Sequence, residues 1–359
     1  MNFENLIKKF NLAQESLVIQ QSDFSLDTLS RMIDTNIVDL NPHYQRRNRW
    51  SEDKQSKLIE SFILNVPVPP IYFSEDEYGV YSVIDGKQRL TSIHNFLSDG
   101  FKLKNLEVFQ ELNGLTFSAL PIQIKNALTV RPYIRIVTLL KQSNNDLKYE
   151  VFLRLNTGGD ALKAQEIRNV AFDGSLNSLL YDLSSNLILK EKLKIIDETS
   201  NAFRKMDDLE TILRFFALAH FWETLPSQNI SRVLDIYMQE NRNISSQKVD
   251  DLKNKFIETI MLCQDLWFGN AFFKPTSNGN FREQFIAPLY DAQMIAITML
   301  IEEGKKEDLL DINPTLIKNG TLELFNDTQF LKAVTQATNN ASNINIRISK
   351  MYDFLNNLL

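Results

Sequence analysis

The sequence is poor in the residues that build most metal and redox centres. Its 359 residues include one cysteine, Cys263, and three histidines, His43, His94 and His220. A single cysteine excludes an intramolecular disulfide and any cysteine-rich zinc site. The histidines show no HExxH spacing, and none follows residue 220. We therefore expect no histidine-dependent metal nuclease in this chain.

Long apolar segments and a secretory signal are also missing from the sequence. No apolar run approaches the roughly 20 residues that a membrane span needs. The first residues include Glu4, Lys8 and Lys9 and lack the apolar centre of a secretory signal. With 43% hydrophobic and 23% charged residues, the composition is that of an ordinary globular protein. We expect a cytoplasmic protein with no membrane partner.

Positive charge is in deficit overall but is concentrated in one segment. The formal net charge is −6 at pH 7, which argues against a protein that coats nucleic acid through bulk electrostatics. Residues 41–50 nevertheless contain Arg46, Arg47 and Arg49 and no acidic residue. Such a local basic segment fits selective phosphate binding. The alternative is a solvated arginine cluster, and we prefer that alternative for Arg47 and Arg49.

The spacing of apolar residues predicts an α+β module followed by helices. Over residues 25–140, short strands alternate with helices, and residues 71–84 are typical of a hairpin. From about residue 145 onward the apolar spacing is helical almost throughout. The chain length suggests roughly two domains. We predict an α+β domain over residues 1–145 and an all-α domain over residues 146–359.

The pentapeptide Asp85-Gly86-Lys87-Gln88-Arg89 is the strongest candidate for a functional site. It follows a predicted buried strand and begins a predicted helix, where backbone N–H groups and the helix dipole favour an anion. Positive side chains in a first helical turn cost ~0.3–1 kcal/mol each, and a bound anion reverses that sign. Asp85 could hold a divalent ion. The alternative is an ordinary turn, since Asp-Gly is a common turn dipeptide.

Two further segments carry polar side chains that suit a nucleotide. Tyr44, Gln45 and Arg46 supply a stacking surface, an amide and a guanidinium, whose two parallel donors suit phosphate. Alternatively, Tyr44 is a core aromatic residue and the arginines face water. The loop Asn156–Asp160 could bind a ribose, a base or metal-bound water if it faces the Asp85 turn. Its paired glycines could instead merely end one helix and lead into the next.

In this order the three segments resemble the N-terminal domain of GmrSD-type restriction endonucleases, which has a ParB/sulfiredoxin-like fold. The family pattern P-x-Y-Q-R…W, D-G-Q-Q-R-L and N-x-G-G-x-L-x-x-x-E appears here as Pro42–Arg46 with Trp50, Asp85–Leu90 and Asn156–Glu166. The likeness covers most of the chain and is best at residues 37–175. It implies a ParB/sulfiredoxin-like α+β module with a small mixed sheet, followed by the helical domain.

The resemblance implies an NTP-binding and NTP-hydrolysing sensor of a phage-defence or restriction system, with Mg²⁺ accompanying the nucleotide. Carried over by position, Asp85, Gln88 and Arg89 would be the catalytic residues, and Asp85 would orient metal or water. The nucleotide- and phosphate-binding residues would be Tyr44, Gln45, Arg46, Gly86, Lys87, Asn156, Thr157 and Gly158. Lys87 stands where glutamine is usual in the family, which leaves hydrolysis and nucleotide preference open.

Two alternatives stay open beside the NTPase hypothesis. A DNA-binding or DNA-nicking ParB-like protein would use the same residues on backbone phosphates, although the negative net charge weighs against it. A non-catalytic scaffold or partner protein would keep the motif as fold architecture, with Asp85 paired to Arg46 or Arg89. The HNH nuclease of longer family members needs histidines that this chain lacks. We therefore expect a separate effector protein, and the sequence predicts no oligomeric state.

Overall fold

The computed structural model describes residues 3–15, 17–40, 50–143, 151, 154–155, 163–276 and 279–359. The chain divides into two compact units, Met1–Lys163 and Ala164–Leu359. The sequence predicts a domain boundary between residues 145 and 146. The division into an α+β domain and an all-α domain at that point stays a prediction. Within the described ranges, no helix is both long enough and apolar enough to span a membrane.

The first unit is built around a five-stranded mixed sheet. Its strands are β1 (Ile19–Ser25), β2 (Val38–Asp39), β3 (Ile71–Glu77), β4 (Val80–Asp85) and β5 (Tyr133–Leu139). Their order across the sheet is β1-β5-β3-β4-β2. Strand β5 runs antiparallel to β1 and parallel to β3, whereas β4 runs antiparallel to β3 and parallel to β2. The predicted mixed α+β character is therefore confirmed.

Helices of the first unit begin where the sequence supplies start signals. They are α1 (Phe3–Glu15), α2 (Leu26–Asp34), α3 (Glu52–Ile63), α4 (Lys87–Leu97) and α5 (Ile122–Val130). Ser25 caps α2, since its Oγ accepts the backbone N–H of Thr28 at 3.1 Å. Ser51 caps α3 in the same way, through the N–H of Lys54 at 3.4 Å. Apolar residues of α2, α3 and α4 pack with the sheet into one core, which includes Leu29, Ile59, Ile93, Phe96 and Ile136.

A buried carboxylate fixes the long connection between α4 and α5. Glu60, on α3, is 5% exposed. Its side chain accepts the backbone N–H groups of Glu107 (3.1 Å), Val108 (2.8 Å) and Phe109 (3.0 Å). Burial raises the pKa of Glu60, but the three backbone donors and the charge of Lys57 outweigh burial and hold the pKa below its ordinary value of 4.5. The ionised carboxylate therefore holds the loop against α3.

The second unit is helical, with one short two-stranded sheet among its described residues. The sheet consists of β6 (Phe273–Pro275) and the antiparallel β7 (Phe281–Phe285). The predicted helical character is confirmed, and the hairpin is an addition to it. The helices are α6 (Ala164–Ala171), α7 (Ser175–Leu183), α8 (Leu187–Lys192), α9 (Asn201–Lys205), α10 (Asp207–Phe221), α11 (Ile230–Glu240), α12 (Ser246–Leu266), α13 (Ala287–Glu302), α14 (Lys306–Leu310), α15 (Pro314–Asn326), α16 (Thr328–Thr335) and α17 (Ala341–Asn356).

A buried carboxylate on α13 joins three helices of the second unit. Asp291 is 1% exposed and accepts two hydrogen bonds from Arg214 of α10, at 2.5 and 2.7 Å. It accepts a further one from Arg347 of α17. Burial raises the pKa of Asp291, but the two guanidinium groups outweigh burial and lower the pKa below 3.8. The carboxylate thus stays ionised in the core.

A second buried ion pair involves the first helix of this unit. Arg168, on α6, is 1% exposed. It donates to the carboxylates of Asp235 on α11, at 2.8 Å, and Glu210 on α10, at 3.0 Å. Its Nη2 also donates to the hydroxyl of Ser231 at 2.6 Å. These bonds fix α6 against the two helices that supply the acceptors.

Candidate functional site

The turn between β4 and α4 has the form that the sequence predicts. Strand β4 ends at Asp85, and α4 begins at Lys87. Gly86 between them has φ +97° and ψ 9°, in the left-handed region. A Cβ atom at this position would lie 2.7 Å from Cγ1 of Ile71 on β3. Both the backbone angle and the close approach of β3 therefore require glycine here.

The N-terminus of α4 is electropositive. A helix offers no internal acceptors for its first N–H groups, and Gly86 supplies no side-chain cap for them. The dipole of the 11-residue helix adds a partial positive charge at this end, and its first turn contains no acidic residue. Lys87, which is half-buried, adds a full positive charge in the first turn. The arrangement suits an anion such as a phosphate group.

Arg89 is held by protein groups at this turn. Its Nη2 donates to Oδ2 of Asp85 at 2.8 Å. Its Nη1 donates to the carbonyl oxygen of Pro70 at 3.1 Å and to that of Pro69. The Arg89 side chain is 12% exposed, against 39% for Asp85. Burial lowers the pKa of Arg89, and the charge of Asp85 opposes that effect. Through its hydrogen bonds, this guanidinium connects the start of α4 to the segment before β3.

Gln88 connects the same turn to the start of α3. The Gln88 side chain is buried, and its Oε1 accepts the backbone N–H of Trp50 at 3.1 Å. Gln55 donates from its side chain to the carbonyl of Trp50 at 3.0 Å. Trp50 directly follows the basic residues 41–49, and β2, which precedes them, pairs in parallel with β4. Trp50 therefore lies at the start of α4, whereas β2 pairs with Tyr81 and Ser82 in the first half of β4.

The other predicted ligands lie outside the described residues. They are Tyr44, Gln45 and Arg46 of the basic segment and Asn156, Thr157 and Gly158 of the glycine loop. Of the predicted site residues, the structure places Asp85, Gly86, Lys87, Gln88 and Arg89, and it brings these five together at one turn. Convergence of all three segments stays a prediction.

The residues at the turn fit an anion better than a metal ion. In the described part of the chain, no group of three or more His, Cys, Asp or Glu residues could hold a metal. The Asp85 carboxylate already accepts a hydrogen bond from Arg89, and Lys87 adds positive charge two residues away. In nucleotide sites, Mg²⁺ is commonly held by one or two carboxylates together with the phosphates of the nucleotide. A role of Asp85 as a Mg²⁺ ligand therefore stays a prediction.

The proline segment is a part of this turn that the motifs do not indicate. Pro69 and Pro70 provide the two carbonyl acceptors of Arg89. Because prolines lack an N–H, this segment cannot pair as a regular strand of the sheet. Its carbonyl oxygens still need hydrogen-bond donors, and Arg89 supplies them. The run Val66–Pro70 is visible in the sequence, but its position beside Arg89 depends on the fold.

A comparison with protein families agrees with the motif resemblance. Residues 27–172 match the family model described as GmrSD restriction endonuclease, N-terminal domain. This segment is a GmrSD-type N-terminal domain. The family predicted from the motifs is thereby confirmed for these residues, which extend from α2 in the first unit to the residue after α6 in the second. No curated protein and no solved structure gives a significant match to the chain.

Proposed function

We propose that the first unit binds a nucleoside triphosphate, with its phosphates at the N-terminus of α4, as the sensor of a restriction or phage-defence system. The matched family is named for a restriction endonuclease, which supports the restriction context. Hydrolysis of the NTP, with Mg²⁺ accompanying the nucleotide, is the activity that the motif resemblance implies. A separate effector protein would then carry out the response.

The contact between Gln88 and Trp50 is the observation that carries this proposal. It supports the proposal because Trp50, which follows the basic residues 41–49, contacts the first turn of α4, where the dipole and Lys87 favour an anion. Tyr44 and Arg46 precede Trp50 by six and four residues. In this proposal, these two residues complete the anion site from the basic segment.

The contacts of the turn suggest different roles for its residues. Gln88 and Arg89 act as positioning residues, because their polar atoms hold Trp50 and the proline carbonyls. Lys87 and the backbone at Gly86 contact phosphate, and Arg46 does so from the basic segment. Gln45 completes the phosphate site and Tyr44 offers a stacking surface, while residues 156–158 contact ribose, base or metal-bound water.

Calorimetric titration of the full chain with ATP, GTP, CTP and UTP, each with Mg²⁺, tests nucleotide binding. Lys87→Ala should weaken binding roughly 10- to 150-fold, because a hydrogen bond to a charged group contributes about 1.5–3 kcal/mol. Lys102→Ala removes an exposed lysine of the same unit and should leave affinity unchanged. Absence of binding by the unaltered chain, or equal effects of the two variants, would show that the proposal is wrong. Phosphate release under the same conditions measures hydrolysis.

A non-catalytic scaffold is the second candidate function, and the Asp85–Arg89 ion pair favours it. Together with the proline carbonyls, this pair gives the motif a structural role that needs no ligand. On this hypothesis Asp85→Asn lowers the melting temperature, and no nucleotide alters it. Stabilisation of the unaltered chain by a nucleotide would exclude the scaffold. DNA binding that weakens steeply with salt, without nucleotide binding, would instead support the DNA-binding alternative.

A further inference from the structure

The N-terminal helix leaves an apolar face uncovered. Phe3, Leu6, Ile7 and Phe10 are spaced i, i+3, i+4 and i+7 and therefore share one face of α1. Their exposed fractions are 65%, 54%, 58% and 60%. Among the described elements, none packs extensively against α1. An amphipathic helix ordinarily buries such a face, and the described residues supply no partner surface for α1.

The strand that follows α1 has one free edge. Strand β1 lies at the end of the sheet and pairs only with β5 among the described strands. The N–H of Leu140 donates to the carbonyl of Val18 at 2.9 Å, in the same register as the β1–β5 ladder. Hydrogen-bonded positions alternate in an antiparallel pair. The backbone N–H and C=O groups of Ile19, Gln21 and Asp23 therefore point away from β5, toward the free edge.

This edge lacks the features that usually prevent pairing with another chain. Proteins protect exposed edges with lysine, proline, bulges or very short strands. Strand β1 has seven residues and contains no lysine and no proline, and its ladder with β5 has no register shift. Its one charged residue, Asp23, forms a two-pronged ion pair with Arg135 of β5, at 3.0 and 3.1 Å. The edge is thus open, regular and nearly neutral.

We propose that α1 and β1 form the interface of a symmetric dimer of this chain. In this dimer β1 pairs antiparallel with β1 of a second copy, and the apolar faces of the two α1 helices contact each other. Full overlap of the seven strand residues places the two-fold axis at Ser22. Gln21 then faces Asp23 of the second copy, so that outward-directed positions meet and no like charges lie opposite each other.

The available area indicates that the helix and the strand act together. Two phenylalanines that are about three-fifths exposed present roughly 100–150 Å² each. Two α1 faces alone would therefore bury less than the ~1,200 Å² typical of a stable interface. Pairing of the two β1 edges adds both area and backbone hydrogen bonds. A second copy supplies an apolar helix and a matching strand edge at once.

Sedimentation velocity over a range of micromolar concentrations tests the dimer and its register. Gln21→Glu places a glutamate opposite Asp23 of the second copy on both sides of the axis, and the two repulsive pairs should raise the dissociation constant roughly 2- to 30-fold. Gln21→Lys places a lysine there instead and should not weaken association. A chain that stays monomeric at every concentration would overturn the proposal. Equal effects of the two charge changes would overturn it as well.

A second pair of variants tests the helix face. Phe10→Glu charges the apolar stripe, whereas Asn11→Glu adds the same charge at an adjacent exposed position outside it. Because both positions are exposed in one copy, neither change should lower the melting temperature of the monomer. Phe10→Glu should weaken the dimer at least ~10-fold and Asn11→Glu should not. Equal dimerisation of both variants, or a monomer that uses this face to bind lipid vesicles, would refute the dimer.

Discussion

Replacement of Glu60 with glutamine should destabilise the first unit, because the Glu60 carboxylate holds a loop through three backbone donors. One of its oxygens accepts the N–H groups of Val108 and Phe109, and the other accepts that of Glu107. Glutamine has nearly the same shape but only one acceptor oxygen, and its amide hydrogens would face N–H donors. At least one N–H would therefore lose its acceptor beside a buried side chain.

The expected loss follows from the number and kind of these bonds. A hydrogen bond to a charged group contributes about 1.5–3 kcal/mol, and a buried donor without a partner costs about 1–3 kcal/mol. Loss of one such bond and weakening of two others should lower the free energy of unfolding by about 2–4 kcal/mol, out of a typical 5–15 kcal/mol. Glu111→Gln changes an exposed glutamate of the same connection and should stay within about 0.5 kcal/mol.

Urea unfolding, monitored by hydrogen exchange of peptides from residues 50–143, measures the free energy of unfolding of the first unit separately. The pKa of Glu60 is lowered below 4.5 in the folded protein. Its stabilisation is therefore fully present above that value and is lost as the pH falls through the folded-state pKa. The difference in the free energy of unfolding between the unaltered chain and Glu60→Gln should become smaller below pH 4.5. If Glu60→Gln and Glu111→Gln unfold at the same urea concentration, the carboxylate does not hold the loop.

Two further substitutions test other parts of the fold. Asp291→Asn leaves two arginines in the core without their carboxylate and should cost about 3–5 kcal/mol in urea unfolding of the second unit, whereas exposed Asp311→Asn should be nearly neutral. Gly86→Ala should lower the melting temperature more than Gly114→Ala. Both glycines have positive φ, but only at Gly86 would the new Cβ meet Ile71, at 2.7 Å. Equal melting temperatures of the two alanine variants would contradict that steric argument.

Elements with local signals were predictable from the sequence, whereas elements that depend on distant partners were not. The helix caps Ser25 and Ser51 and the β3–β4 hairpin follow from short-range patterns, and the structure contains all of them. Strand β1 has few apolar residues, and its conformation depends on β5. Its residue Asp23 lies 112 positions before the partner Arg135. No window of local sequence contains that pairing.

The candidate site shows the same division between local and distant information. The strand–glycine–helix turn at Gly86 was predictable, because strand, turn and helix are adjacent in the chain. The carbonyl acceptors of Arg89 were not predictable, because Pro70 lies 19 residues away in the chain and is close to Arg89 only in the folded structure. A carboxylate within the mostly apolar helix α13 does indicate a buried partner for Asp291. The sequence does not indicate which residue that partner is, because Arg214 lies 77 residues earlier in the chain.

The buried guanidinium on α6 limits which sequences could follow the family-matched stretch after recombination. Arg168 belongs to the family-matched stretch, but the carboxylates that neutralise it, Glu210 and Asp235, come after that stretch ends. A desolvated cation deprived of its counter-ions typically costs 3–5 kcal/mol. Recombination at the end of the shared stretch would therefore succeed only with a downstream half that brings its own acids to the same spot. A different downstream half can follow this domain only if it supplies carboxylates that neutralise Arg168.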